Sequence, residues 1–386
     1  MAKRLAALVL ILVTLVTPAL ARANFEAVSF AALNGWNDDD HEAALTAFRR
    51  SCEEIINHGR GFARPVQYGG ARADWLSVCR KAQKTSDARK FFETEMTALR
   101  VSDSDRPEGL FTGYFEPEAL GSRTPSKEYS VPIYAKPTDL VIFDAKEQKA
   151  TGGLRYGRYV DGKPTAYFTR REIEEGALQG RGLEIVWLRY WSDAFFIQVQ
   201  GSARIRFADG TSTRLAFSAK TGLPYTAIGG LLVERGEIAK EALSMQTILA
   251  WMRKDPKAAR ELMWENKSFV FFRELDLPNP DLGAPGAQMV QLTPLRSLAV
   301  DRGLWAFGTP VWVDSYVPAE NGGKGPPFRH LMIAQDTGTA IKGAVRGDVF
   351  WGWGVEAARN AGHMKSEGSM TVLLPKALAR KLLAQQ

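Results

Sequence analysis

The sequence predicts a mainly β protein with flanking helices, in which one domain is inserted within another. Three observations lead there. The chain opens on amphipathic helical patterns up to about residue 100, changes at Gly109 to short β-rich runs punctuated by Pro and Gly, and returns to helical patterns at 238–264 before strands resume. Helices at the start, strands, helices again and strands again is the order expected when one unit interrupts another. With a leader of 23 residues removed, 363 of the 386 residues remain, enough for two domains at about 150 residues each.

The leader is read from Lys3-Arg4, the apolar run Leu5 to Val16, Pro18 and the small-residue sites Ala19-Leu20-Ala21 and Ala21-Arg22-Ala23. This is the pattern of a secretory signal. A membrane span needs roughly 18 or more apolar residues, and this core is only twelve residues long, Thr14 included. No Cys stands near the cleavage site to take a lipid, so the mature protein is expected to be soluble outside the cytoplasm with no lipid anchor. Its formal charge of +7 falls to +4 when Lys3, Arg4 and Arg22 leave with the leader. So small an excess is first of all a solvated surface, with some preference for an acidic polymer. Hydrophobic and charged fractions of 45% and 24% are those of an ordinary globular protein.

The first helix is predicted from Ala44, Phe48, Cys52, Ile55 and Ile56, after the acidic cluster Asp38-Asp39-Asp40 and ending near Gly59. Further helices fit Trp75 to Gln83 and Arg89 to Leu99. Cys52 and Cys79 both fall on apolar helical stripes, and in an oxidising compartment they form a candidate disulfide. The four histidines, His41, His58, His330 and His363, lack ligand spacing, so no metal site is expected. Strand-like runs then follow at Phe111 to Glu116, Tyr129 to Tyr134, Leu183 to Trp191 and Ala194 to Gln200. The segment from Ala203 to Phe217 alternates apolar and polar residues on both sides of Asp209-Gly210, a strong hairpin signal. Helices are predicted at Ile238 to Arg253 and at Pro256 to Trp264, the second with Asp255 as N-cap and Pro256 in its first position. Strands dominate Phe269 to Leu374, and a terminal helix runs from Pro375 through Leu378, Leu382 and Leu383.

Chemistry is densest in the last hundred residues, in Val311-Trp-Val-Asp314-Ser, Ala334-Gln-Asp336-Thr-Gly-Thr-Ala-Ile-Lys342-Gly343 and Gly347-Asp348-Val-Phe-Trp351-Gly-Trp-Gly354. Each aspartate stands beside turn residues, where Asp is most often a turn former. Asp348 differs in being followed by Phe350, Trp351 and Trp353. Sugar rings stack on such faces, and an apolar wall raises a carboxyl pKa, as a general acid requires. The same aromatics also suit an ordinary core. The run Gly352 to Ala357 matches a dinucleotide fingerprint in letters only, since fewer than thirty residues follow it. Three upstream stretches mix aromatics, amides, hydroxyls and charge in a way that suits carbohydrate or buried strand ends equally: Thr112-Gly-Tyr114-Phe-Glu116-Pro117, Gln198-Val-Gln200-Gly-Ser202-Ala-Arg204, and Asn266-Lys-Ser-Phe-Val-Phe271-Phe-Arg-Glu274. Serine-hydrolase, nucleotide-binding and zincin motifs do not appear.

At these residues the chain resembles the membrane-bound lytic murein transglycosylase A family, whose C-terminal 3D domain is named for three aspartates, here Asp314, Asp336 and Asp348. Thr112 to Pro117, Gln200-Gly201-Ser202 and Gln291-Leu-Thr293-Pro294 resemble its upstream blocks in the expected order. The resemblance implies a double-psi β-barrel built from residues 24–116 and 276–386, with a second β-barrel inserted at 117–275 and a glycan groove between them. It implies cleavage of peptidoglycan to 1,6-anhydromuramyl ends, with Asp348 as catalytic acid then base and Asp336 in support, and with no cofactor. Substrate contacts are expected from Tyr114, Glu116, Gln200, Ser202, Arg204, Asn266, Phe271, Thr293, Lys342 and Trp351. Phe350 stands where the family has Tyr, removing a hydroxyl. The implied place is the periplasm, with outer-membrane association as an alternative. The expected partners are glycan strands and other cell-wall enzymes, with no nucleic acid. Two rival readings remain: an inverting glycoside hydrolase on the same barrel with Asp336 or Asp314 as base, and a non-catalytic wall-binding protein.

Overall fold

The computed structural model describes residues 23–385 except 105, 278, 320–322 and 339; all but the last residue of the predicted leader lies outside that range. In chain order the first elements are β1 (Ala23–Val28), α1 (His41–Asn57), α2 (Arg72–Ala82), α3 (Ala88–Glu95), β2 (Met96–Asp103) and β3 (Glu108–Glu116). Then come β4 (Glu118–Ser122), β5 (Val131–Tyr134), β6 (Val141–Ile142), α4 (Ala145–Ala150), β7 (Tyr156–Val160), β8 (Lys163–Thr165), α5 (Arg170–Glu172), β9 (Glu184–Leu188) and α6 (Trp191–Gln200). The hairpin β10 (Ser202–Arg206) and β11 (Ser212–Lys220) leads to α7 (Ile228–Glu234), α8 (Met245–Lys254), α9 (Pro256–Trp264) and β12 (Val270–Leu275). The chain closes with β13 (Ser297–Ala299), β14 (Pro310–Pro318), β15 (Lys324–Asp336), β16 (Arg346–Trp353), α10 (Gly354–His363), β17 (Lys365–Pro375) and α11 (Lys376–Leu383).

Six strands in the order β17-β14-β15-β13-β16-β3 form a closed barrel, because β3 also pairs with β17. Two of its pairs are parallel, β13 with β15 and β16 with β3, and the others antiparallel. Strands β1 and β2 extend it from β17. A second six-stranded sheet, β12-β11-β10-β4-β9-β5, curls until a parallel bridge between Ala135 and Phe272 brings β5 back to β12. Both sheets put alternate side chains inward, and Leu298, Val311, Val313, Ile333, Val349 and Val372 fill the first core while Val186, Leu188, Ala203, Ile205 and Leu215 fill the second.

Helix α1 forms where its apolar stripe was expected. Asp40 caps it by accepting from the Ala43 N–H at 3.0 Å, and Ala44, Leu45, Phe48, Cys52 and Ile55 are buried against the first barrel. The sulfurs of Cys52 and Cys79 are joined, tying α1 to α2. The hairpin turns at Asp209-Gly210, and Asp255 caps α9 by accepting from the N–H groups of Lys257 and Ala258, with Pro256 following.

Several predicted elements differ. Ala194 to Gln200 is helical, not a strand. In α6, Ala194 and Ile197 pack into the second barrel while Phe195 packs with α7, α8 and α9. A helix apolar on two sides loses its periodicity. Met96 to Leu99 leaves the third helix to become β2, since its residues pair with β1 and β17. The helix expected from Ile238 starts only at Met245, where Ser244 caps it, and α7 and β1 went unforeseen. Helix α10 interrupts the strands expected at 269–374. Thus the Gly352 to Ala357 run does join a strand to a helix, but β16 and β17 on either side of α10 run in opposite directions along β3, so the run opens no βαβ unit. No helix among the described residues is long and apolar enough to cross a membrane.

Candidate active site

The parallel pairing of β16 with β3 puts Asp348 opposite Thr112 and Phe350 opposite Tyr114. Because strand residues alternate between faces, these four side chains share one face and Val349 and Phe111 enter the core on the other. Asp336 enters from the end of β15, which lies one strand away across β13, so Ala299 pairs with both Asp336 and Asp348. The placement of β13 between β15 and β16 therefore brings together two carboxyl groups from separate segments of the sequence.

The two carboxyls are held differently. Asp336 Oδ1 accepts from the backbone N–H groups of Ala287 and Thr337 at 2.9 Å each, and its Oδ2 accepts from the Tyr114 hydroxyl at 3.0 Å. Asp348 Oδ1 accepts from the Thr112 hydroxyl at 2.5 Å, and Arg346 Nη2 donates to that same hydroxyl at 2.8 Å. Among the described residues, Oδ2 of Asp348 has no hydrogen-bond partner. Burial pushes both carboxyls above their ordinary value; for Asp348 the charge of Asp336 adds to the rise, while Thr112 and Arg346 oppose it. Burial, with the charges of Asp336 and Asp348, also pushes the Tyr114 phenol far up, so it stays protonated and donates. The arrangement is one carboxyl held by three donors beside another that carries a free oxygen, both shifted by burial towards the acid form.

Phe350 is buried with its ring 5.2 Å from that of Tyr114. It supplies the apolar wall expected next to Asp348. A Cβ added at Gly283 would lie 2.6 Å from the Phe350 ring, which fixes the backbone of the 280s segment against it. Trp351, by contrast, turns to the opposite face of β16, where it packs on Phe328 at 5.7 Å and beneath Gly113 and α10. It is not beside Asp348.

Other expected contacts scatter. Glu116 is 4% exposed and pairs with Arg214 at 3.0 Å, and Arg204 lies over the Trp353 ring at 4.6 Å, so both belong to the junction between the two sheets. Phe271 is fully buried against Tyr167 in the core of the inserted unit, and Asn266, 2% exposed, accepts from the N–H groups of Thr226 and Ser268. Both are interior residues, which corrects their assignment as substrate contacts. Lys342 is exposed and pairs with Asp301 at 3.4 Å. The Thr293 hydroxyl accepts from Arg50. Asp314 is bound to Arg329 at 2.9 Å and to Asn34, away from the pair. Ser202 is half-buried at the start of β10, and Gln200 lines a groove of about 680 Å³ between α6, α8 and α10 with Phe115, Tyr190 and Phe196. Thr112, Arg346, Ala287 and Arg214 are the functional neighbours that residue-type reasoning did not single out. Thr112 lay within a quoted motif and Arg346 stands two residues before Asp348 on the same strand, but nothing local marks the other two. Among the described residues, no group of three or more His, Cys, Asp or Glu side chains is placed to hold a metal.

Comparison with known proteins places this geometry. Residues 110–273 match the model of the MltA specific insert domain, and residues 296–374 match that of the 3D domain. The membrane-bound lytic murein transglycosylase A of Escherichia coli K12 is 32% identical over 326 residues, 83% of this chain and 80% of that protein. Its namesake in Vibrio cholerae is 33% identical over 264 residues, covering 67% of this chain and 63% of that protein. Among solved structures, MltA from Neisseria gonorrhoeae superposes with a TM-score of 0.76 at 30% identity, covering 92% of this chain and 93% of that one. E. coli MltA with bound chitohexaose gives 0.59 at 27% identity, covering 86% and 90%. With its two barrels, its insert and its 3D segment in the same order, the chain belongs to the membrane-bound lytic murein transglycosylase A family.

Proposed function

We propose that this protein is a peptidoglycan lytic transglycosylase that cleaves the β-1,4 bond between N-acetylmuramic acid and N-acetylglucosamine with Asp348 as its one catalytic carboxyl. The observation that carries this reading is the asymmetry of the pair. Burial raises both carboxyls, but Asp348 keeps an unengaged Oδ2, whereas Asp336 accepts from Ala287, Thr337 and Tyr114 through both oxygens.

In the first step protonated Asp348 gives its proton to the glycosidic oxygen. The bond from that oxygen to muramyl C1 breaks, and the ring takes on oxocarbenium character. Asp348, now a carboxylate braced by Thr112 and Arg346, accepts the proton of the muramyl C6 hydroxyl as its oxygen closes on C1. The products are a 1,6-anhydromuramyl end and a free N-acetylglucosamine hydroxyl, and Asp348 is protonated again. No water enters. Asp336 and Tyr114 orient the site, and the charge of Asp336 raises the proton affinity of Asp348.

An inverting hydrolase would need a second carboxylate with a lone pair free to activate water. The donors on Asp336 and the remoteness of Asp314 speak against that rival. The binding of chitohexaose by the E. coli relative supports a glycan ligand. The relatives' membrane-bound character supports a place in the cell envelope, and the leader pattern points to its periplasmic side. Digestion of purified peptidoglycan with the wild type and with Asp348→Asn tests the reading. The wild type should release muropeptides and the variant should lose about 10²- to 10⁴-fold of that rate; a variant with full activity would remove Asp348 from the mechanism.

A further inference from the structure

The mechanism uses residues of the first barrel only, yet one side chain of the inserted unit grips both catalytic strands. Arg214, on β11, is 3% exposed. Its Nε donates to both oxygens of Glu116 at 3.0 and 3.1 Å, and its Nη2 donates to the carbonyls of Pro280, at 3.1 Å, and Leu282. The guanidinium also lies 5.6 Å from the centre of the Trp353 ring, on which Arg204 stacks as well.

Each of these contacts leads to a reacting group. Glu116 ends β3, two residues beyond Tyr114 and four beyond Thr112, and Trp353 ends β16, five residues beyond Asp348 and in register with Glu116. Leu282 precedes Gly283, whose backbone rests on Phe350, and Phe350 in turn rests on Tyr114, the donor to Asp336. A single planar cation thus holds the ends of both strands and the segment that roofs the pair. Lysine could not do the same, because an ammonium offers three donors from a point, without the fixed fork that here reaches a carboxylate from Nε and two carbonyls from Nη2.

We propose that Arg214 is a positioning residue for the reaction, setting the placement of Asp348 and Tyr114 from the inserted unit through Glu116, Trp353 and the 280–283 segment. The proposal rests on the functional reading above. Misplacement of a reacting group by about 1 Å costs about 100-fold in rate, so the effect should appear in kcat far more than in KM.

The test compares the wild type with Arg214→Lys and with Glu116→Gln, which keeps the shape of the partner. Release of new glycan ends from purified peptidoglycan gives kcat and KM across pH, and thermal unfolding reports the folded fraction. The expected result is cooperative unfolding in at least one variant, with kcat down about 100-fold per folded molecule, KM within a few-fold of wild type and a displaced pH profile. A variant that folds and keeps wild-type kcat and pH profile would overturn the proposal and leave Arg214 a structural clasp. The chemical nature of the ends made by the wild type tests the lytic reading separately, since the ratio of variant to wild-type kcat reports positioning whichever ends form.

Discussion

At the residue scale the site is defined by how two like groups are treated unlike. Asp348 and Asp336 both have their carboxyls raised by burial, but only Asp348 keeps an oxygen free. A carboxyl raised in the folded state contributes stability below its unfolded value, near 3.8, and that contribution is lost as pH rises through its native value. Replacing Asp348 by Asn removes a charge that the fold disfavours. The variant should therefore be inactive yet melt higher than wild type at neutral pH, with the gap opening as pH is raised from 4 and then levelling. Thermal unfolding over pH 4–8 checks this, and a gap that closes on raising pH would contradict it. Asp39 has the opposite sign. Its carboxyl is lowered despite burial because it accepts from His330, Arg296 and the Leu331 N–H, so its contribution is lost as pH falls. For the activity itself, turnover needs protonated Asp348 and should fall as pH rises through its pKa. Tyr114→Phe removes one of three donors to Asp336 and should lower kcat while leaving Asp348 in place.

At this scale the sequence was informative in proportion to how local the cause is. The wall of Phe350 beside Asp348 was legible because it lies two residues away on the same strand face. Trp351 misled for the same reason, since one residue further along reverses the face. Ala287 could not be read, because a loop brings it to Asp336, whereas Arg346 stands two residues before Asp348 on the same strand face and only residue type hid it. Asn266 and Phe271 looked like glycan contacts by residue type, and burial alone decided against them.

At the scale of elements, local chemistry predicted α1, the Asp209-Gly210 hairpin and α9 almost to the residue, because each carries its own cap or turn signal. Strand β2 and helix α6 were misread where packing on both sides overrides periodicity. Two predictions belong here. The bond between Cys52 and Cys79 closes a loop with a sequence separation of 27, so its reduction should lower unfolding free energy by about 3–4 kcal/mol. Chemical denaturation with and without reductant measures it. The loss should also reach activity, since Arg50 and Ser51 on α1 contact Thr293 and Gln288 of the segment that lies over the site. In that segment Gly283→Ala would force a methyl group to within 2.6 Å of the Phe350 ring. Overpacking of this kind costs about 1–3 kcal/mol, and displacement of Phe350 and Tyr114 should reduce kcat beyond what the loss of folded protein explains.

At the scale of the whole molecule, the two barrels meet at a junction made of Glu116, Arg214, Arg204 and Trp353. The alternation of helical and β-rich stretches was enough to suggest an inserted unit. That alternation could not supply the closure of β3 on β17, the pairing of β16 with β3 or the grip of Arg214, all of which join residues more than sixty apart. Those long-range contacts are what turn three turn-like aspartates into one carboxyl with a free oxygen, one anchored neighbour and one separate ion pair. The central claim is that this assembly breaks the glycan without water. Digestion of purified peptidoglycan in water enriched in ¹⁸O, followed by mass spectrometry of the products, tests it directly. The account predicts 1,6-anhydromuramyl ends carrying no ¹⁸O, whereas reducing muramyl ends labelled with ¹⁸O would contradict it.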